Sequence, residues 1–275
     1  MILGKLGHMV DVVCPSAERV DRAHPSSVFT SMGGHTSRQV AQWRAPRVWA
    51  LSWEVEDLAD VGPVQALVDA YGPGPFQFRP AHAANLNLLT PEVAVLDPRG
   101  TDVSGSRVVS LGPVRAGDGV VLYRQVTRPD VGSVLLGLRA SGDWILTPLR
   151  AGKAVTVSVY ARGAGSRLRV YWTDASGSWL SQSHSPPGVG SDGEYRRHVL
   201  TEVPPEGAVA CRIEVRDCTG AAYAAITETA EARPWAPGEG VAQASISRAA
   251  STDLASAWGG VNLGGLSIQI TEDMV

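Results

Sequence analysis

Hydrophobic and polar positions alternate with period two through "RVWALSW", Arg47 to Trp53, setting Trp49, Leu51 and Trp53 on one face and Val48, Ala50 and Ser52 on the other. That is strand periodicity. After the acidic run "EVEDLAD" the spacing becomes helical, with Val61, Val64, Leu67, Val68 and Tyr71 on one stripe. It predicts a short helix over 61–70, capped by Asp60 and tolerating Pro63 in its first turn. "GPGP" ends that helix, and Phe76 and Phe78 then recur at period two. Because Pro73, Pro75 and Pro80 lack an amide donor, "AYGPGPFQFRP" reads as a rigid turn into an aromatic strand end, held by aromatic packing rather than by a ladder.

From Thr90 onward turn formers and short alternating runs take over, predicting strands over 120–126, 133–138, 144–147, 153–161, 167–172, 208–216 and 223–229. Strands at such intervals predict a β-sandwich. Within it Val155, Val157 and Val159 point inward, as do Val209, Cys211, Ile213 and Val215, leaving Arg212, Glu214 and Arg216 outward. In "RLRVYW", Trp172 shares the inner face with Leu168 and Val170, whereas Tyr171 shares the outer face with Arg167 and Arg169. Two further strands are expected over 242–246 and 266–270. The fold class is therefore mainly β.

Composition narrows the partners. The chain has 275 residues and 44% hydrophobic content, enough for two domains. A formal charge of −3 gives no basic excess, which argues against nucleic acid as the main partner. No stretch approaches a membrane span, and "MILGKLGHMVDVVCPS" is broken by Lys5, His8 and Asp11 before it reaches the length of a signal peptide core. Cys14, Cys211 and Cys218 include no CxxC pair, so neither a disulfide framework nor a zinc knuckle is indicated, and folding in a cytoplasm is expected.

Motifs that carry catalysis are missing. "GPGPFQ", "GDGVVL" and "GEGVAQ" place Gln77, Leu122 and Gln243 where a dinucleotide fingerprint needs its third glycine, and there is no GxSxG, HExxH or P-loop. No enzymatic activity, cofactor or metal is expected. Glu54, Glu56 and Asp57 form a solvated strand end rather than an acid–base pair; "DASGSW", Asp174 to Trp179, is a hairpin turn before it is a calcium loop. Cys211 is a small buried apolar residue before it is a redox group.

"RVWALSWEVED", the helix after it, "YGPGPFQF", "NLLTP" and the distant "RPWAPGEGV" together resemble minor tail proteins of long-tailed actinobacterial phages, in particular those resembling the distal tail protein. The resemblance covers residues 1–90 and 235–275, and the family's FxFxDP is FQFRP here, with Arg79. It implies a tail-tube-like β domain from 1–90 and 235–275, to which Trp49, Trp53, Tyr71, Phe76, Phe78 and Trp235 contribute structurally. It also implies an inserted jelly-roll sandwich over 91–234, similar to a carbohydrate-binding module. The implied assembly is a homo-hexameric ring at the virion's tail tip, between the tail tube protein and the hub, beside other minor tail proteins. Within "YWTDASGSWL", Tyr171 and Trp179 are the candidates for contact with host cell-wall polysaccharide, since aromatic faces stack on the apolar faces of sugars. Trp179 reads otherwise as a hairpin-tip residue packed on a neighbour. A free carbohydrate-binding accessory module is the competing function; a tail-tip hydrolase would need the motifs that are missing.

Overall fold

In the computed structural model, residues 1–22, 26–30, 32, 36–40, 45–98, 101–103, 108–140, 143–188, 193–256 and 262–273 are described. They form two units, Met1–Met9 with Gln77–Ala242, and Val10–Phe76 with Gln243–Val275.

The smaller unit grows from the Trp-rich strand, which extends over Arg47–Asp57. Trp49, Leu51 and Trp53 lie opposite Ile270, Ile268 and Leu266 of the antiparallel strand Asn262–Glu272, and all six side chains are buried. Strand Ala17–Arg22 pairs on the other side of the Trp-rich strand, and strand Val241–Ser256 pairs with Asn262–Glu272. The helix runs Leu58–Tyr71 and buries Val61, Val64 and Leu67 on the predicted stripe. It starts earlier than expected. The strand passes straight into it at Leu58, so Asp60 lies inside the first turn instead of capping it, and Pro63 lies within the helix. Trp53 donates its indole N–H to the Val13 carbonyl, 3.2 Å.

Beyond "GPGP" a ladder does form, correcting the expectation of packing alone. Residues 76–79 keep their amides, and strand Phe76–Arg79 pairs antiparallel with Ile2–Lys5 in the register Ile2–Arg79, Leu3–Phe78, Gly4–Gln77. Phe76 and Phe78 are buried, Tyr71 partly so. Gly74 is required where it stands: its φ is +128°, and a Cβ there would lie 2.7 Å from the Ala244 carbonyl oxygen.

The larger unit is a β-sandwich whose two sheets share long strands. Residues 210–216 of strand Ala210–Thr227 pair with Arg167–Thr173, whereas residues 220–227 pair with Val155–Arg162. Strand Val121–Leu136 does the same, pairing with Thr101–Val103 at one end and Val108–Arg115 at the other. Each long strand replaces two strands expected from sequence. The turn formers between them bend the chain without ending it: the register shifts between Thr127 and Val134, around Pro129 and Gly132, and Asp217 takes φ +54°. Strand Trp179–His184 borders Arg167–Thr173, and Arg196–Glu202 borders Val155–Arg162. Between the sheets lie Val126, Val134, Val157, Val170, Trp172, Ile213 and Ile226. Cys211 and Cys218 are buried there too, and burial pushes both thiols up to about 12.

"NLLTP" belongs to this sandwich. Leu88, Leu89 and Val93 enter its core, and Thr90 caps the short helix Pro91–Ala94 by accepting from the Val93 N–H. Asn87 donates to the carbonyls of Ala224 and Ala236 and accepts from the Ile226 N–H. The returning "PGEG" runs alongside, with Glu239 N–H on the Asn87 carbonyl at 3.0 Å and Gly240 N–H on that of Leu89 at 2.9 Å. Arg79 is buried and donates to the carbonyls of Phe78 and Val241. Trp235 also packs on the sandwich: it stacks on Tyr223 at 4.1 Å and bonds the Ala224 carbonyl. The two compact units divide at 9/10, 76/77 and 242/243.

Candidate functional site

Alternation on Arg167–Thr173 drives Leu168, Val170 and Trp172 into the core and turns Tyr171 outward. Trp172 is 0% exposed, and its indole N–H reaches Ser183 Oγ and Glu202 Oε1, both at 2.9 Å. Outward Tyr171 sits opposite Arg212 on one neighbouring strand and Gln182 on the other. Around this row opens a cleft of about 710 Å³ lined by Trp144, Leu146, Tyr171, Trp179, Gln182 and Arg212, with Thr173 and the Ser176–Gly177 turn at one end and Leu6 beside it.

Both residues singled out from sequence line this cleft. Trp179 is 63% exposed, the first residue of its strand after the hairpin turn. That turn is wound on Asp174, whose carboxylate accepts from the Ser176 N–H, the Ser176 hydroxyl and the Ser178 N–H. The Ser176 hydroxyl, followed by the backbone amides, holds the Asp174 carboxyl below its ordinary range. Because those bonds occupy Asp174 Oδ1, the hairpin reading accounts for the turn. Tyr171 is fixed by its hydroxyl, which donates to Glu214 Oε2 at 2.6 Å and accepts from Arg169 at 2.8 Å. Trp144, Gln182 and Arg212 were not singled out. The Arg212 guanidinium lies 5.1 Å from the Trp144 ring centroid and 4.9 Å from that of Tyr171.

Glu54 is exposed, and the side chains of Glu56 and Asp57 lie outside the described residues. No cluster of three or more histidine, cysteine or acidic side chains suited to a metal is found among the described residues. Ser166 Oγ and His198 Nε2 are 3.1 Å apart, a spacing a nucleophile and base would have. Yet they are 2% and 6% exposed, so the pair is closed to a substrate and ties the turn that leads into Arg167–Thr173 to strand Arg196–Glu202.

No family model matches the chain, and no curated protein matches it. Among solved structures, similarity is found to the enzymatically active domain of tailspike protein 4 of bacteriophage CBA120, at 11% identity and TM-score 0.37 over 52% of this chain. A second is the CBM22-1–GH10 region of Clostridium thermocellum xylanase 10B, at 15% identity and TM-score 0.34 over 50% of the chain. A third is the module CsCBM6-3 of Clostridium stercorarium, at 11% identity and TM-score 0.29, covering 47% of this chain and 86% of that one. The chain spans 21% of the first and 27% of the second.

Proposed function

We propose that this chain is a non-catalytic component of a phage tail tip whose sandwich binds a host cell-surface glycan through the Trp179 cleft. The observation that carries the glycan reading is the cleft itself. An exposed indole, a tyrosine held rigid by two hydrogen bonds and the amide of Gln182 face one concave space. Apolar faces with a few oriented polar groups are what a sugar ring requires. Placement in the virion, as a homo-hexameric ring between tail tube and hub, rests on the sequence resemblance of "RVWALSWEVED", "YGPGPFQF" and "RPWAPGEGV".

The test is affinity electrophoresis in gels containing soluble polysaccharide from actinobacterial cell walls. The wild-type chain should be retarded. Trp179→Ala should lose about 1–3 kcal/mol of binding, the scale of one large side chain's burial, with an unchanged melting temperature because the indole packs little in the free protein. Equal retardation of both proteins sinks the assignment of Trp179. Immunogold labelling of particles addresses the other half: a chain absent from tails would leave a free glycan-binding module.

A further inference from the structure

The charges around the cleft specify the kind of sugar, an inference that rests on reading the cleft as a glycan site. Along the outer face of Ala210–Thr227, Arg212, Glu214 and Arg216 alternate, opposite Tyr171, Arg169 and Arg167. His184 faces Arg169 from the far strand. Arginine outnumbers carboxylate on this face, and the carboxylates are taken up by other arginines and by the Tyr171 hydroxyl. Glu214 takes Arg169 at 3.4 Å and Arg216 at 4.0 Å, and Asp217 takes Arg167 at 3.4 Å. The His184 pKa is held down by burial first and then by Arg169, Arg167 and Arg216, consistent with a positive field over this face.

Arg212 stands apart. Among the described residues lining the cleft it carries the one formal charge, and it has no carboxylate partner among the described residues. Its contacts are the rings of Trp144 and Tyr171. A planar guanidinium lying over aromatic rings keeps its N–H donors in its own plane, where they can meet an oxyanion side-on. The ring clamp also removes much of the rotamer freedom such an encounter would otherwise cost.

We propose that the cleft selects an acidic glycan, with a sugar-borne oxyanion, a uronate carboxylate or a glycosyl phosphate, on Arg212 and the sugar ring against Trp179. The test is calorimetric titration of the full chain with oligogalacturonate, the same oligomer after carboxyl reduction, a poly(glycosyl phosphate) and neutral xylo-oligosaccharide. At least one acidic ligand should bind about 10- to 100-fold tighter than the neutral ones, the range of a hydrogen bond to a charged group. Whichever acidic ligand binds identifies the source of the oxyanion. Arg212→Gln should abolish that preference, Arg212→Lys should keep some of it, and raised salt should weaken acidic binding alone. Carboxyl reduction alters only the ligand, so that comparison holds whatever Arg212→Gln does to folding. If neutral and acidic ligands bind equally and Arg212→Gln changes nothing, the inference falls while the cleft remains a glycan site. If none of the ligands binds, the glycan reading falls with it.

Discussion

At Gly240 a single methyl group would force apart a pair of segments that the fold holds together. A Cβ there would overlap the Leu88 carbonyl oxygen and lie 2.9 Å from the buried Arg79 guanidinium, and Gly238 meets Leu89 and Thr90 in the same way. The "PGEG" spelling thus follows from close backbone approach. Gly240→Ala should cost about 2–4 kcal/mol, the scale of a forced shift in packed backbone, read as a lower urea midpoint. Gly62 is the contrast: it lies in the helix Leu58–Tyr71 with nothing within 4 Å of a built Cβ. There alanine should stabilise by about 0.5–1 kcal/mol through helix propensity, and a loss would show that the space is not open. His198 supplies a pH dependence. Burial lowers its pKa, so the folded protein holds it neutral while the unfolded chain protonates it near the ordinary value. Its contribution is fully present above about pH 6.5 and declines as pH falls toward the depressed folded value. His184, shifted in the same direction, adds to the trend. Urea midpoints at pH 7 and pH 5 should therefore differ, and His198→Gln should partly flatten the difference; an unchanged slope would remove His198 from the account.

Between elements, the smaller unit is fastened by an ion pair that joins residues far apart in sequence. Arg47 opens the Trp-rich strand and Glu272 closes the C-terminal one; each side chain is 3% exposed, and Nε and Nη2 bind the two carboxylate oxygens at 3.1 and 3.0 Å. Glu272→Gln should destabilise this unit by about 3–5 kcal/mol, because the guanidinium stays buried without its countercharge, and joint replacement by apolar residues of similar volume should recover most of that. Equal losses in the single and double variants would show that packing, not charge, is at stake. Nothing in the sequence marks this pair, since pairing across a sheet depends on register and register is set by distant partners. What could be read was local: Trp49, Leu51 and Trp53 on one face, the Val61–Val64–Leu67 stripe, Trp172 inward and Trp179 outward. The same limit divided the cleft. Tyr171 and Trp179 share one hairpin and were visible together, whereas Trp144 and Arg212 reach the same space from strands whose neighbours only the fold decides. In sequence each long strand reads as two, because Pro129, Gly132 and Asp217 are turn residues by type, and here they serve bends within strands.

At the scale of the whole molecule, the first nine residues belong with a unit that otherwise begins at Gln77. Met1, Ile2 and Leu3 are buried, and Ile2 to Gly4 pair with Gln77 to Arg79, so without them the strand Phe76–Arg79 would present an unpaired edge and lose an apolar cover. Leu6 from the same segment lines the Trp179 cleft. The sandwich should therefore be complete only when this segment is supplied. Two versions test this: Gln77–Ala242 alone, and the same residues preceded by Met1–Met9 on a flexible Gly/Ser linker. The tethered version should unfold cooperatively and be more stable by on the order of 3 kcal/mol, since burial of the three apolar side chains is partly offset by the entropy of ordering the segment. The untethered version, with its edge open, should aggregate on concentration. Coincident unfolding midpoints for the two versions would show that Met1–Met9 is dispensable to the sandwich, and that the unit boundary lies at Gln77 alone.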